Sequence, residues 1–250
     1  MGHRFELPLE STVEATPEEV WQAISTGPGI DSWFMGRNDV SGGAVHTAFG
    51  GVDFPASTVT AGEPGRRFAH TSEPQADGRF VAYEFLIEGR ERGSTAVRMV
   101  TSGFLPGDDW ENEFEAMSSG LPMFFATLVE YLTHFPGRTA APLTEFGPPI
   151  TDWPRAWETL YGELGLSPDK RPASPGDLVR FSPGGVGVIE GVVYHANAQT
   201  IGIRTGDALY RFLQGFHGPM IAAHHLFGAD PGDQGPAWHA WLSTLFTDHT

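Results

Sequence analysis

"WENEFEAMSSGLPMFFATLVEYL", residues 110–132, is the stretch whose reading decides the fold. Leu121, Phe124, Phe125, Leu128, Leu132 and, just beyond, Phe135 recur at helical spacing and form a broad apolar face. The spacing predicts a helix from Trp110 to Phe135, interrupted around Gly120-Leu121-Pro122. So much aromatic surface needs a cover, and the residues just before it can supply one. From Ala44 to Gly103 the pattern is β, with breakers at Gly42-Gly43, Gly50-Gly51, Gly62 to Gly65, Gly78 and Gly93. Phe80 to Glu88 is the clearest strand. Val81, Tyr83, Phe85 and Ile87 point one way, Glu84 and Glu88 the other. Thr95 to Ser102 sets Val97, Met99 and Thr101 on one face and turns Arg98 to solvent. One face of the sheet is therefore covered and the other is wet.

Upstream, Phe5 to Glu10 alternates as a half-buried strand. "TPEEVWQAISTGPGIDSWF", residues 16–34, then supplies an N-cap, a proline at the first helical position and a Glu at the third. Val20, Trp21 and Ile24 share one face of that helix. Gly27-Pro28-Gly29 is expected to stop it, with Ile30 to Phe34 as a second short turn. Trp33 and Phe34 follow the break either as core anchors or as the lip of a cavity.

Downstream, "PGRTAAPLTEFGPPIT", residues 136–151, reads as a Pro/Gly-rich linker. "DWPRAWETLYGELGL" is a helix with Trp157, Leu160, Tyr161 and Leu164 on one face. "VGVIEGVVYHA", "TIGIRT" and Ala208 to Leu213 are strands. A last helix from Pro236 to Phe246 carries Trp238, Trp241, Leu242 and Leu245. Both halves run helix, strands, helix. "SGFLPGDDWENEFEAM" followed by "FFATLVEYL" is similar to "HHLFGADPGDQGPAWHAWLSTLF". Duplication with a shrunken second copy gives this pattern, and so does convergent turn chemistry.

Composition narrows the function classes. The 250-residue chain has no cysteine, which excludes disulfides, thiolate metal sites and Cys nucleophiles. Its formal net charge of −16 argues against nucleic-acid partners and anionic membranes. No run reaches the roughly 18–20 apolar residues of a spanning helix. The first residues lack a secretory h-region, so a cytoplasmic location without membrane insertion is expected. No G-x-S-x-G, P-loop or G-x-G-x-x-G motif occurs, and "SPGGVGVIEG" reads as a turn. His224 and His225 are adjacent on a strand and point to opposite faces. With His217, Asp230 and His239 they make no zinc-like helical spacing, so no metal or other cofactor is expected. The acids at 108, 109, 111 and 113 flank Trp110 at a helix start, where carboxylates complement the helix dipole.

The order of a strand, the "TPEEVWQAIS" helix, a turn ending in "WF", a Gly-Gly strand pair, "GEPGRRFAHT" and the long aromatic helix resembles the START-like (SRPBCC, helix-grip) superfamily. It is most similar to the bacterial branch named for the activator of heat shock protein 90 ATPase. The resemblance covers about residues 5–135. It implies an α+β helix-grip fold, a curved antiparallel sheet wrapped around a long C-terminal helix with a cavity between them. The expected division is a START-like domain over 1–135, a linker over 136–151 and a smaller α+β domain over 152–250, read as a truncated repeat. By the family pattern the cavity would be lined by Trp33, Phe34, Phe49, Phe54, Phe68, Tyr83, Phe85, Met99, Phe114, Met117, Phe124 and Leu128. His70, in phase with Phe68, would face inward as a ligand hydrogen-bond partner. The leading expectation is a non-catalytic binder of a small apolar or aromatic ligand. The alternatives are an enzyme of the cyclase, dehydratase or hydrolase type with His70 or an acid as base, and a chaperone-linked protein-interaction module with a protein partner.

Overall fold

A computed structural model describes the chain except residues 1, 108–109, 168, 170, 217, 229–232 and 248–250 and the side chain of Arg92. Asp108, Asp109, His217 and Asp230 therefore lie outside the described residues. The chain divides into two compact units, residues 1–139 and 140–250.

Alternation of apolar and polar residues builds the first unit's sheet. Its strands are β1 (His3–Val13), β2 (Arg37–Ser41), β3 (Ala44–Phe49), β4 (Val52–Asp53), β5 (Ser57–Glu63), β6 (Arg67–Ser72), β7 (Phe80–Gly89) and β8 (Thr95–Leu105). The sheet order is β1-β8-β7-β6-β5-β3-β2, with β4 on β3, and every pairing is antiparallel. Tyr83, Phe85 and Ile87 of β7 stand opposite Thr101, Met99 and Val97 of β8, so the apolar sets of both strands share the inner face. Arg98 is exposed on the other face, opposite Leu86 and Glu10.

Between β1 and β2 lie two helices, α1 (Pro17–Ser25) and α2 (Gly27–Ile30). Thr16 and Glu19 complete a capping box at the start of α1. Gly27-Pro28-Gly29 is not the break the sequence suggested; it is the body of α2. Thr26 caps it, accepting from the Gly29 amide at 3.1 Å, and Pro28 sits in its first turn, where a missing N–H costs nothing.

Helix α3 (Trp110–His134) follows β8 and packs on β1 and β8. It runs through Pro122 without the expected interruption. Its second half holds it in place, because Leu121, Met123, Phe124, Phe125, Leu128 and Leu132 are all buried. None of residues 110–120 is fully buried.

The second unit contains β9 (Ala141–Pro149), α4 (Trp153–Glu163), β10 (Leu178–Phe181), β11 (Ile189–Ala196), β12 (Thr200–Arg204), β13 (Ala208–Gln214), β14 (Pro219–Leu226) and α5 (Gly235–Leu245). Most of the stretch read as a linker is therefore β9, paired antiparallel along β14. Its prolines misled the reading. Pro142 and Pro149 lie in an end strand of the sheet, where a missing donor on the unpaired side is tolerated. The sheet order is β10-β11-β12-β13-β14-β9.

The two topologies match. In each unit the first strand lies beside the last, the remaining strands form a meander running back from that last strand, helix precedes the meander, and a C-terminal helix follows it. The second unit has a 6-stranded sheet against 8 strands, and a final helix of 11 residues against 25. The architecture is α+β helix-grip, given twice in unequal form.

Candidate functional site

Strand register brings three polar side chains into one line on the inner face of the first sheet. Thr101 of β8 stands opposite Tyr83 of β7, and Tyr83 opposite His70 of β6. Leu7 of β1 and Val59 of β5 close the line at either end. The surroundings are apolar. Phe85 and Met99, one level along, are 2% and 0% exposed.

These polar groups are poorly satisfied. Thr101 is fully buried and its hydroxyl has no hydrogen-bond partner. His70 is 9% exposed and its Nδ1 also lacks one. Among the described residues, no side chain bonds the Tyr83 hydroxyl or sets a carboxylate against His70. Burial pushes the His70 pKa down to about 4 and the Tyr83 phenol up to about 12. Both are therefore neutral near pH 7. Ser118 of α3 adds a third buried polar atom without a partner. Unpaired buried polar atoms each cost about 1–3 kcal/mol, so an accumulation of them on one inner face asks for a ligand or water.

The aromatic wall grows from the turn after α2. Trp33 is 2% exposed and its indole N–H donates to the Ala23 carbonyl at 2.9 Å. Phe34, half-buried, meets Tyr83 at 5.7 Å and Phe124 of α3 at 5.1 Å. Asp31 Oδ1 accepts from the backbone and side-chain amides of Asn38 at 2.6 and 3.1 Å, tying this turn to β2. The Thr47 hydroxyl donates to Asn38 Oδ1 at 2.7 Å. Burial raises the pKa of Asp31 against the opposing pull of these amides.

A cavity of about 20 Å³ lies among Trp33, Phe34, Asn38, Thr47, His70 and Tyr83. That is room for one water, so the site is closed in this structure. A larger, open groove of about 660 Å³ lies on the second unit over β10 to β12. Its charged pair, Arg180 and Glu190, is self-satisfied at 2.9 Å, and no unpaired buried polar atom lines it.

The thirteen residues drawn from the sequence separate into groups. Trp33, Phe34, Phe68, His70, Tyr83, Phe85 and Phe124 form one connected set of rings. Met99 and Leu128 are both fully buried core. Phe49 and Phe54 form a pair of their own at 6.4 Å, with Phe54 43% exposed. Phe114 belongs to another cluster, with Phe5, His3 and Trp110. Met117 is half-buried on α3. Thr101 and Ser118 were missed. Thr101 carried a usable signal, a hydroxyl in phase with Val97 and Met99 on an inward strand face. Among the acids at the start of α3, Glu113 pairs with Arg79. His224 faces Trp238 of α5 at 4.1 Å, in a different environment from the buried His225. Among the described residues no group of His, Asp and Glu is arranged to hold a metal ion, and no helix is long and apolar enough to cross a membrane.

No protein-family model matches the chain, and no curated protein matches it. Similar solved structures include protein MLL2253 of Mesorhizobium loti, 23% identical with a TM-score of 0.44, covering 51% of this chain and 96% of that one. The Aha1 dimer of Colwellia psychrerythraea is 21% identical with a TM-score of 0.42, over 51% and 96% of the two chains. DynU16, from the dynemicin biosynthetic locus, is 18% identical with a TM-score of 0.43, over 98% of this chain and 97% of that one.

Proposed function

We propose that the first unit binds one small, uncharged, largely apolar ligand between the inner face of its sheet and α3, without transforming it. This reading keeps the START-like resemblance of residues 5–135 as its frame. The observation that carries it is the line Thr101–Tyr83–His70, two of whose polar atoms are buried and unpaired inside a wall of aromatic rings. Small-molecule sites combine these same features, an apolar lining and a few convergent polar groups. The ligand is uncharged because the line presents only neutral groups.

The enzymatic alternative would use His70 as a base. A neutral imidazole can accept a proton, but no carboxylate among the described residues orients it or stabilises its charged form. Binding is therefore preferred.

Calorimetric titration of the full chain with 1-octanol, cyclohexanol and 2-naphthol tests the reading. At least one probe should saturate at one molecule per chain, and His70→Leu should weaken that binding about tenfold, the loss of one hydrogen bond. Absence of saturable binding by all three would remove the reading.

A further inference from the structure

The two units carry similar cross-strand lines, matching at three of five places. In the first it runs Leu7, Thr101, Tyr83, His70, Val59. In the second, Leu143 stands opposite His224, His224 lies 5.0 Å from Tyr210, Tyr210 stands opposite Ile203, and Ile203 opposite Val193. Leu, Tyr and Val recur at matching places on matching strands.

What lies over the line differs. In the second unit α5 lays the indole of Trp238 on it, 4.1 Å from His224 and 5.7 Å from Tyr210. Trp238 is fully buried, and its Nε1, like Nε2 of His224, is without a partner. Nδ1 of His224 accepts from the Arg211 amide at 3.1 Å, so Nε2 carries the proton of the neutral ring and points its N–H into the aromatic cluster. In the first unit, among the described residues, no ring of α3 meets Tyr83 or His70. Trp110 stacks on His3, Phe114 meets Phe5, and Phe124 meets Phe34. Among the described residues, the ring contacts of Tyr83 and His70 are with each other, Phe34 and Phe68. Between Phe114 and Leu121 the helix carries mostly small or flexible residues, Ala116 to Gly120.

We propose that Trp238 occupies in the second unit the place that the ligand takes in the first, and that the ligand is a flat, fused two-ring aromatic of about indole size bearing a hydroxyl or N–H on its edge. This rests on the binding reading above. The edge group follows from Thr101 Oγ1 and His70 Nδ1, which stand unpaired at opposite ends of the same line. The two residues stand two strands apart, about 9–10 Å, so one edge group pairs with one of them, and a hydroxyl can give or accept there. Flatness follows from the line itself, whose Tyr83 and His70 rings lie 23° from parallel and offer a stacking surface. Because the cavity holds only a water, admission requires Phe34 to turn aside, and Phe34 is already partly exposed.

The test is a ranking together with a stoichiometry, measured calorimetrically on the full chain. Wild-type protein should bind 2-naphthol with a Kd at least tenfold below those for cyclohexanol and 1-octanol, at one per chain. Trp238→Ala should bind two per chain and recover melting temperature when indole is added. If 1-octanol or cyclohexanol binds as tightly as 2-naphthol, the two-ring class is overturned while the binding reading stands. If no probe binds the wild type but Trp238→Ala takes up indole, the binding reading fails. A folded Trp238→Ala that ignores indole overturns the equivalence of the two places. Should that variant not fold even with indole, the wild-type ranking decides the ligand class by itself.

Discussion

The imidazole of His70 lies 5.1 Å from the ring of Tyr83 and 23° from parallel to it, on neighbouring strands and with Nδ1 unpaired. A buried histidine without a counter-ion resists protonation. Its pKa falls to about 4, from an ordinary value of 6.5 that the unfolded chain regains. Above pH 6.5 neither state holds the proton, so the residue leaves stability unchanged. Between pH 6.5 and 4 the unfolded state takes it up and the folded state does not, so stability falls with pH. Below 4 both are protonated and the loss levels off at about 3 kcal/mol. His224, also pushed well below its ordinary value by burial, acts in the same direction. Urea midpoints taken from pH 7 to pH 4 should fall for the wild type and fall less for His70→Leu. Equal slopes would place His70 outside the acid sensitivity.

Thr101 makes a different trade. Its hydroxyl is fully buried and unpaired between Leu7 and Tyr83. Valine has nearly the same shape and no polar atom to desolvate. Thr101→Val should therefore stabilise the chain by about 1 kcal/mol. The same change should weaken 2-naphthol binding, because it removes one end of the polar line. A variant that loses both stability and affinity would mean the hydroxyl is satisfied by water rather than kept for a ligand.

Much of this site is legible in the sequence. The period-2 alternation of Tyr83, Phe85 and Ile87 against Val97, Met99 and Thr101 fixed which residues face inward, since a strand leaves only two choices. The phase of His70 with Phe68 followed from the same rule. Register between strands was not legible, because turn length and bulges set it. The alignment of Thr101, Tyr83 and His70 into one line therefore emerged only from the pairing. Phe54 and Phe114 were placed in the cavity by the family pattern, but packing put them in clusters of their own. The strand over 141–149 was hidden by its three prolines, which read as linker chemistry, and its pairing with β14 overrode them. Pro122 misled in the same way. Local propensity pointed to a break, and burial of the following turns overrode it.

Trp33 and Phe34 are neighbours with separate roles. Trp33 is buried and bonded to the Ala23 carbonyl. Trp33→Ala should cost about 3–5 kcal/mol, the range for losing a large buried aromatic. Phe34 is only partly buried and leans on Tyr83 and Phe124. Phe34→Ala should cost less than half as much, while speeding probe uptake in stopped-flow fluorescence. Similar stability losses for the two would show that Phe34 is also an anchor, and would remove it as the movable wall.

Pro122 gives the last prediction. It lies inside α3, where its ring supplies no N–H for the Ser118 carbonyl four residues back. An interior proline costs a helix about 3 kcal/mol, and its rigidity returns up to about 1 kcal/mol through the unfolded chain. Pro122→Ala should therefore raise stability by about 2 kcal/mol in urea melts. It should also join the half-exposed turns of residues 110–120 more firmly to the buried half of the helix. If those turns must yield for a ligand to reach the Thr101–Tyr83–His70 line, the variant will bind 2-naphthol more slowly at an unchanged pH dependence. A stabilised variant with wild-type uptake would mean that access runs past Phe34 alone and that α3 stays fixed throughout.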